Sequence, residues 1–124
     1  KAILEGLTFE LRVNLDLLKE GQVNIDELRA IGGGARSSLW VQLKADITGI
    51  PIVVPRITEA ACWGAALLGG VGAGVFGSAA QAMERMPHLE HRFEPDPARA
   101  ARYEERYALY REVYPAVRAI SGRL

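Results

Sequence analysis

Residues 2–20 place Ile3, Leu4, Leu7, Leu11, Leu15 and Leu18 at spacings of three and four among polar positions, the period of an amphipathic helix. Gly21 follows, a residue type that commonly closes a helix by adopting left-handed backbone. The pattern changes at residues 28–31, Leu-Arg-Ala-Ile, a short strand-like run that stops on Gly32-Gly33-Gly34. A second helix is predicted from Ser37 to Thr48, with Leu39, Trp40, Leu43 and Ile47 on one face and Gly49 at its end. Pro51 forbids continuation. Ile52-Val53-Val54 is β-branched and apolar throughout, as expected of a strand covered on both faces. Pro55 ends it, and Thr58 is placed to cap a third helix through Ala60–Leu68, with Glu59 set against the helix dipole. Gly69–Gly77 breaks that helix, a weaker helical run covers Ser78–Met86, and residues 87–95 read as loop. Asp96-Pro97 opens the last helix. Its stripe of Ala100, Tyr103, Tyr107, Tyr110, Tyr114 and Val117 is most simply packing against the domain.

Strands separated by helices predict an α/β fold with two parallel strands, in the order helix, strand, helix, strand, helix, helix. Two strands rarely suffice as a sheet, so part of a larger sheet is expected. The chain starts on Lys1, already in helical periodicity and without leader or initiating Met, as expected of a domain cut from a longer protein. Open sheet edges and unpaired apolar surface then predict a homo-oligomer for the chain alone.

Composition narrows the partners. The 124 residues hold 15 basic and 15 acidic side chains, so no electrostatic ground exists for nucleic acid or an anionic membrane surface. No apolar run convincingly spans a bilayer, and a cytoplasmic location is expected. The single cysteine, Cys62, excludes an internal disulfide and lies in an apolar run, where a buried, inert thiol is expected. The 13 glycines cluster, which suggests a site made by backbone.

The informative cluster is Ala30-Ile31-Gly32-Gly33-Gly34-Ala35-Arg36-Ser37-Ser38. A strand delivers the chain into three glycines and a helix opens behind them. Such a turn lets backbone N–H groups approach a polyphosphate while the helix start adds partial positive charge. It also serves as a tight connection with glycines for packing alone, and the residues themselves leave both readings open. A β-branched residue at Gly33 is expected to strain the turn and to occupy the phosphates' approach. The P-loop pattern fails for want of a Lys-Ser/Thr pair after the last glycine. The GxGxxG match at Gly72, Gly74 and Gly77 follows a helix instead of a strand, which is the wrong context for a dinucleotide site.

Other residues have plainer explanations. Asp46 is expected to be a structural partner in mid-helix, and Glu59 to stabilise a helix terminus. His88 and His91 have H-x-x-H spacing without a third ligand nearby. Arg99, Arg102, Arg106 and Arg111 alternate with acidic residues, as in a solvated flank.

The run Gly32-Gly33-Gly34-Ala35-Arg36-Ser37-Ser38-Leu39-Trp40-Val41-Gln42, continued by Ala45-Asp46-Ile47-Thr48-Gly49-Ile50-Pro51-Ile52, resembles the C-terminal signature of FGGY carbohydrate kinases. Glu59-Ala60-Ala61-Cys62-Trp63-Gly64-Ala65-Ala66-Leu67-Leu68 is similar to a second block of that family, with xylulokinase-like wording. The resemblance implies an actin-like, ribonuclease-H-type domain whose ATP side this chain would supply. It implies that Gly33 and Gly34 face the phosphates, that Ala35, Ser37 and Ser38 border the adenosine, and that Gln42 lies near base or ribose. The catalytic aspartate, the Mg ligands and the sugar contacts would lie outside these residues, so the chain alone is expected to be inactive. A non-catalytic interaction or regulatory module with the same fold is the other expectation.

Overall fold

The computed structural model describes all residues except 57–58, 86–89 and 123–124; the side chains of Glu90 and Ala119 also lie outside the description. The elements are helix α1 (Ala2–Glu20), strand β1 (Leu28–Arg29), a 3-10 turn (Gly33–Arg36), α2 (Ser38–Thr48), β2 (Ile52–Pro55), α3 (Ala60–Gly72), α4 (Ala79–Glu84), β3 (Glu90–Phe93) and α5 (Pro97–Ser121).

The sheet is mixed, in the order β1-β2-β3. β1 runs parallel to β2, pairing Leu28 with Ile52, as the sequence predicts. β3 is antiparallel to β2, from Ile52 opposite Phe93 to Pro55 opposite Glu90. This corrects the loop expected at residues 87–95: residues 90–93 form a strand, while 87–89 lie outside the described residues. The open edge expected on β2 is therefore covered from within the chain. Ile52, Val53 and Val54 are all buried, which is why that strand reads as continuously apolar.

α2 is the wall between two cores. One face packs Val41 and Ala45 with Ala35, Ile52 and Val54, flanked by Leu28, Ala30 and Phe93. The other packs Ile47 and Leu43 with Phe9 and Tyr107, flanked by Val13, Tyr103 and Tyr110. Ser37 caps the helix, its hydroxyl accepting from the Trp40 N–H at 3.4 Å. Gly49 closes it at φ 68° with its N–H on the Ala45 carbonyl.

The helical period of α1 is as expected, but its phase is not. Thr8, Phe9 and Leu15 are buried, whereas Ile3, Leu7 and Leu18 are exposed. Its end also differs from the expectation at Gly21, whose φ is −76°. Gln22 takes the left-handed conformation instead, at φ 62°. The Val23 N–H reaches the Leu18 carbonyl and the Gln22 N–H reaches Lys19, the paired bonds of a Schellman closure displaced by one residue.

α5 crosses α1 through aromatic rings and phenols. Phe9 meets Tyr103, Tyr107 and Tyr110 with ring centroids 5.1–6.3 Å apart. Tyr103, Tyr107 and Tyr110 donate to Glu5, Asp16 and Glu10 at 3.0, 2.6 and 2.6 Å. Tyr114 and Val117 continue the predicted stripe but are exposed. From Arg111 to Arg118 every residue of α5 is exposed.

Burial first, then the bond to Asp16, pushes the Tyr107 phenol up to about 12 from 10.0. Tyr103 is raised mainly by burial, and Tyr110 mainly by its bond to Glu10. A phenol whose folded pKa is raised contributes stability below its unfolded value, and that contribution disappears as pH climbs through the folded one. Alkaline titration should therefore destabilise the chain progressively between about pH 10 and pH 12. Helical circular dichroism and phenolate absorbance should change together, and helix loss completed below pH 10 would contradict this account.

Candidate functional site: the glycine turn and its supports

The turn that follows β1 divides its work among three glycines. Gly32 holds φ 77° and ψ −170°, a region open essentially to glycine alone. Gly33 is exposed, has no positive φ, and a β-carbon there would meet nothing within 4 Å. At Gly34 a β-carbon would come 3.1 Å from the Trp40 ring, so that glycine is explained by packing. The strain expected at Gly33 therefore belongs to Gly32, and open approach belongs to Gly33.

Ala35 is buried in the core beside Val41 and Ile52, so its methyl is turned inward and only its backbone can border a ligand. Ser37 and Ser38 are exposed. The Ser37 hydroxyl also serves as the cap of α2. Arg36 leaves the turn to pair with Glu59 at 2.6 Å, just ahead of α3. Glu59 occupies the N-cap position of α3, against the helix dipole as expected, without a side-chain capping bond; its carboxylate takes this arginine as well. The Thr58 cap lies outside the described residues, as does His88. Cys62 is exposed, contrary to the buried thiol expected, because α3 turns Ala61, Cys62, Ala65 and Ala66 to solvent while Leu67 faces inward.

Gln42 stands one turn into α2 and is fastened. Its amide nitrogen donates to Asp46 Oδ1 at 2.9 Å and to the Glu94 carbonyl at 2.7 Å. Asp46 is 3% exposed and accepts as well from the Asp96 N–H at 2.9 Å. Its other oxygen lies 2.8 Å from Arg99 Nε. This carboxylate, expected to be structural, joins α2 to the start of α5. Gln42 and Asp46 also line an open groove of about 420 Å³ with Lys1, Leu4, Leu39, Leu43, Arg99 and Tyr103. Gly33, Gly34, Ser37 and Ser38 follow one another along the turn and the start of α2, and Gln42 lies four residues beyond Ser38 on the same helix. The Arg36–Glu59 pair, bridging 23 residues, carries no sequence signal, because neither residue belongs to a pattern that names the other.

Among the described residues, no group of three His, Cys, Asp or Glu side chains could hold a metal ion. None of the described helices is long and apolar enough to cross a membrane.

Residues 1–73 match the family model described as the FGGY family of carbohydrate kinases, C-terminal domain. The L-xylulose/3-keto-L-gulonate kinase of Escherichia coli (strain K12) is 32% identical over 124 residues, the whole of this chain and 25% of that protein. An autoinducer-2 kinase of Escherichia coli (strain K12) is 32% identical over 92% of this chain and 22% of its own length. A ligand-bound xylulose kinase from Lactobacillus acidophilus superposes with a TM-score of 0.81 at 25% identity, over 98% of this chain and 25% of that one. The chain thus spans about a quarter of the length of the relatives it matches. The α/β architecture, with its actin-like, ribonuclease-H-type kinship, is as the resemblance implies.

Proposed function

The chain belongs to the FGGY family of carbohydrate kinases, and from that premise we propose that it forms the nucleotide side of an ATP-dependent kinase acting on a sugar hydroxyl. The carrying observation is the open face of Gly33 behind a strained Gly32, at the mouth of a strand-to-helix turn. In this reading the chain is the C-terminal portion of the kinase's C-terminal domain, with the opening strands and the sugar-binding lobe outside it. Gly33 and Gly34 would hold phosphates through backbone N–H groups, with Ser37, Ser38 and the Ala35 backbone beside the adenosine. Gln42, whose amide nitrogen is held by Asp46 and Glu94, would meet base or ribose through its amide oxygen.

ATP supplies the phosphoryl group. The described residues offer no cluster for Mg, so no step is assigned to a metal here. Phosphoryl transfer depends almost wholly on positioning and charge stabilisation. The chain alone, without the base and the rest of the cleft, should bind nucleotide and turn over nothing. A xylulose-like ketose is the substrate suggested by the names of the relatives. A cytoplasmic place and self-association of the isolated chain belong to the same reading, the latter supported by exposed Ile3, Leu7, Leu109 and Val113.

The test is amide chemical-shift mapping with ADP. Perturbations should centre on residues 32–38 and spare the α1–α5 contact. Saturating ADP that leaves those amides unmoved would remove the proposal.

A further inference from the structure

The Arg36–Glu59 pair links the end of the glycine turn to the residue just ahead of α3. Both side chains are well exposed, at 67% and 57%, and neither belongs to the buried cores. Exposed pairs of this kind contribute little to stability, because each charge is nearly as well served by water. Its position is more telling. Gly33 and Arg36 are the first and last residues of the 3-10 turn. In that helix, residues three apart stand one above the other, so Arg36 rises from the side on which Gly33 offers open space. An anion resting against Gly33 lies within the sweep of a long arginine side chain. A guanidinium fork matches phosphate oxygens in two parallel bonds.

We propose that Arg36 binds the polyphosphate of the nucleotide and that Glu59 competes for it, so that capture exchanges a carboxylate partner for a phosphate one. The inference rests on the nucleotide reading above. It adds two features to that reading. Before nucleotide arrives, Glu59 neutralises the arginine and places its own negative charge beside the incoming phosphates, which lowers affinity for every phosphorylated ligand. Because Glu59 directly precedes α3, release of Arg36 also unfastens the turn from that helix, so that nucleotide occupancy becomes linked to the position of α3.

The experiment compares ATP, ADP and adenosine binding by calorimetry for the chain, Arg36→Gln and Glu59→Gln. Both changes are at exposed positions and leave the cores untouched. Arg36→Gln should weaken ATP and ADP by about tenfold or more and leave adenosine unchanged. Glu59→Gln should tighten ATP by about threefold, again without effect on adenosine. ATP affinities within twofold of the parent in both variants, or equal changes for ATP and adenosine, overturn the proposal while the nucleotide site stands. Absence of any nucleotide binding by the parent chain overturns the site and this proposal together.

Discussion

Asp46→Ala should cost about 2–4 kcal/mol of folding stability, a large share of the roughly 5–15 kcal/mol that holds a domain of this kind together. The reason is the number of donors that converge on one buried carboxylate. Gln42 Nε2 and the Asp96 N–H each donate to Oδ1 at 2.9 Å, and Arg99 lies 2.8 Å from Oδ2. Removing the acceptor, itself 3% exposed, leaves each of the first two short of one bond at a part-buried position. Arg99 is half exposed and can return its charge to water, which keeps the estimate below that for a fully buried pair. Urea unfolding should show a lower midpoint with an unchanged slope. Glu94→Ala, which breaks only the exposed pair with Arg92, should stay within about 0.5 kcal/mol of the parent. If Asp46→Ala cost no more than that control, Asp46 would not be what fastens α5 to α2.

The second large effect is expected on ligand binding and not on stability. Gly33→Val should leave unfolding within about 0.5 kcal/mol of the parent while weakening ADP by about tenfold or more. Its β-carbon meets nothing within 4 Å and the position has no positive φ, so neither a clash at that atom nor backbone strain opposes the substitution. Only a ligand would. Gly32→Val is the contrasting variant. At φ 77° it should destabilise by about 1–3 kcal/mol. Equal destabilisation by both substitutions, with ADP binding retained in Gly33→Val, would return Gly33 to a purely structural role.

The fold was legible where local rules and tertiary burial agree. Ile52-Val53-Val54 is buried on both faces and reads as a strand without any knowledge of its neighbours. Glu90-His91-Arg92-Phe93 contains a single apolar residue, and its strand exists because β2 offers an edge, which no local pattern records. In α1 the leucines outnumber the residues that face the core, so Thr8 and Phe9 are overlooked in favour of Ile3, Leu7 and Leu18. The sequence marks the glycine turn as a candidate but cannot divide its glycines among strain, packing and open approach. That division depends on Trp40 standing behind Gly34. The bond from Gln42 to the Glu94 carbonyl is invisible in the sequence as well, because its partner lies 52 residues away.

That α2 is the wall between two cores bears on how the molecule comes apart. Val41 and Ala45 serve the sheet while Leu43 and Ile47 serve the helical layer, so neither layer can melt and leave the other intact. Among the described residues, α3 and α4 share none with either cluster, and those of α5 beyond Tyr110 are exposed. Cooperativity is therefore unevenly distributed: one indivisible unit centred on α2, with a helical pair and a fraying helix end attached to it. A single free energy of unfolding describes the first of these alone, and the region carrying Glu59 lies at the border between the rigid unit and the softer one.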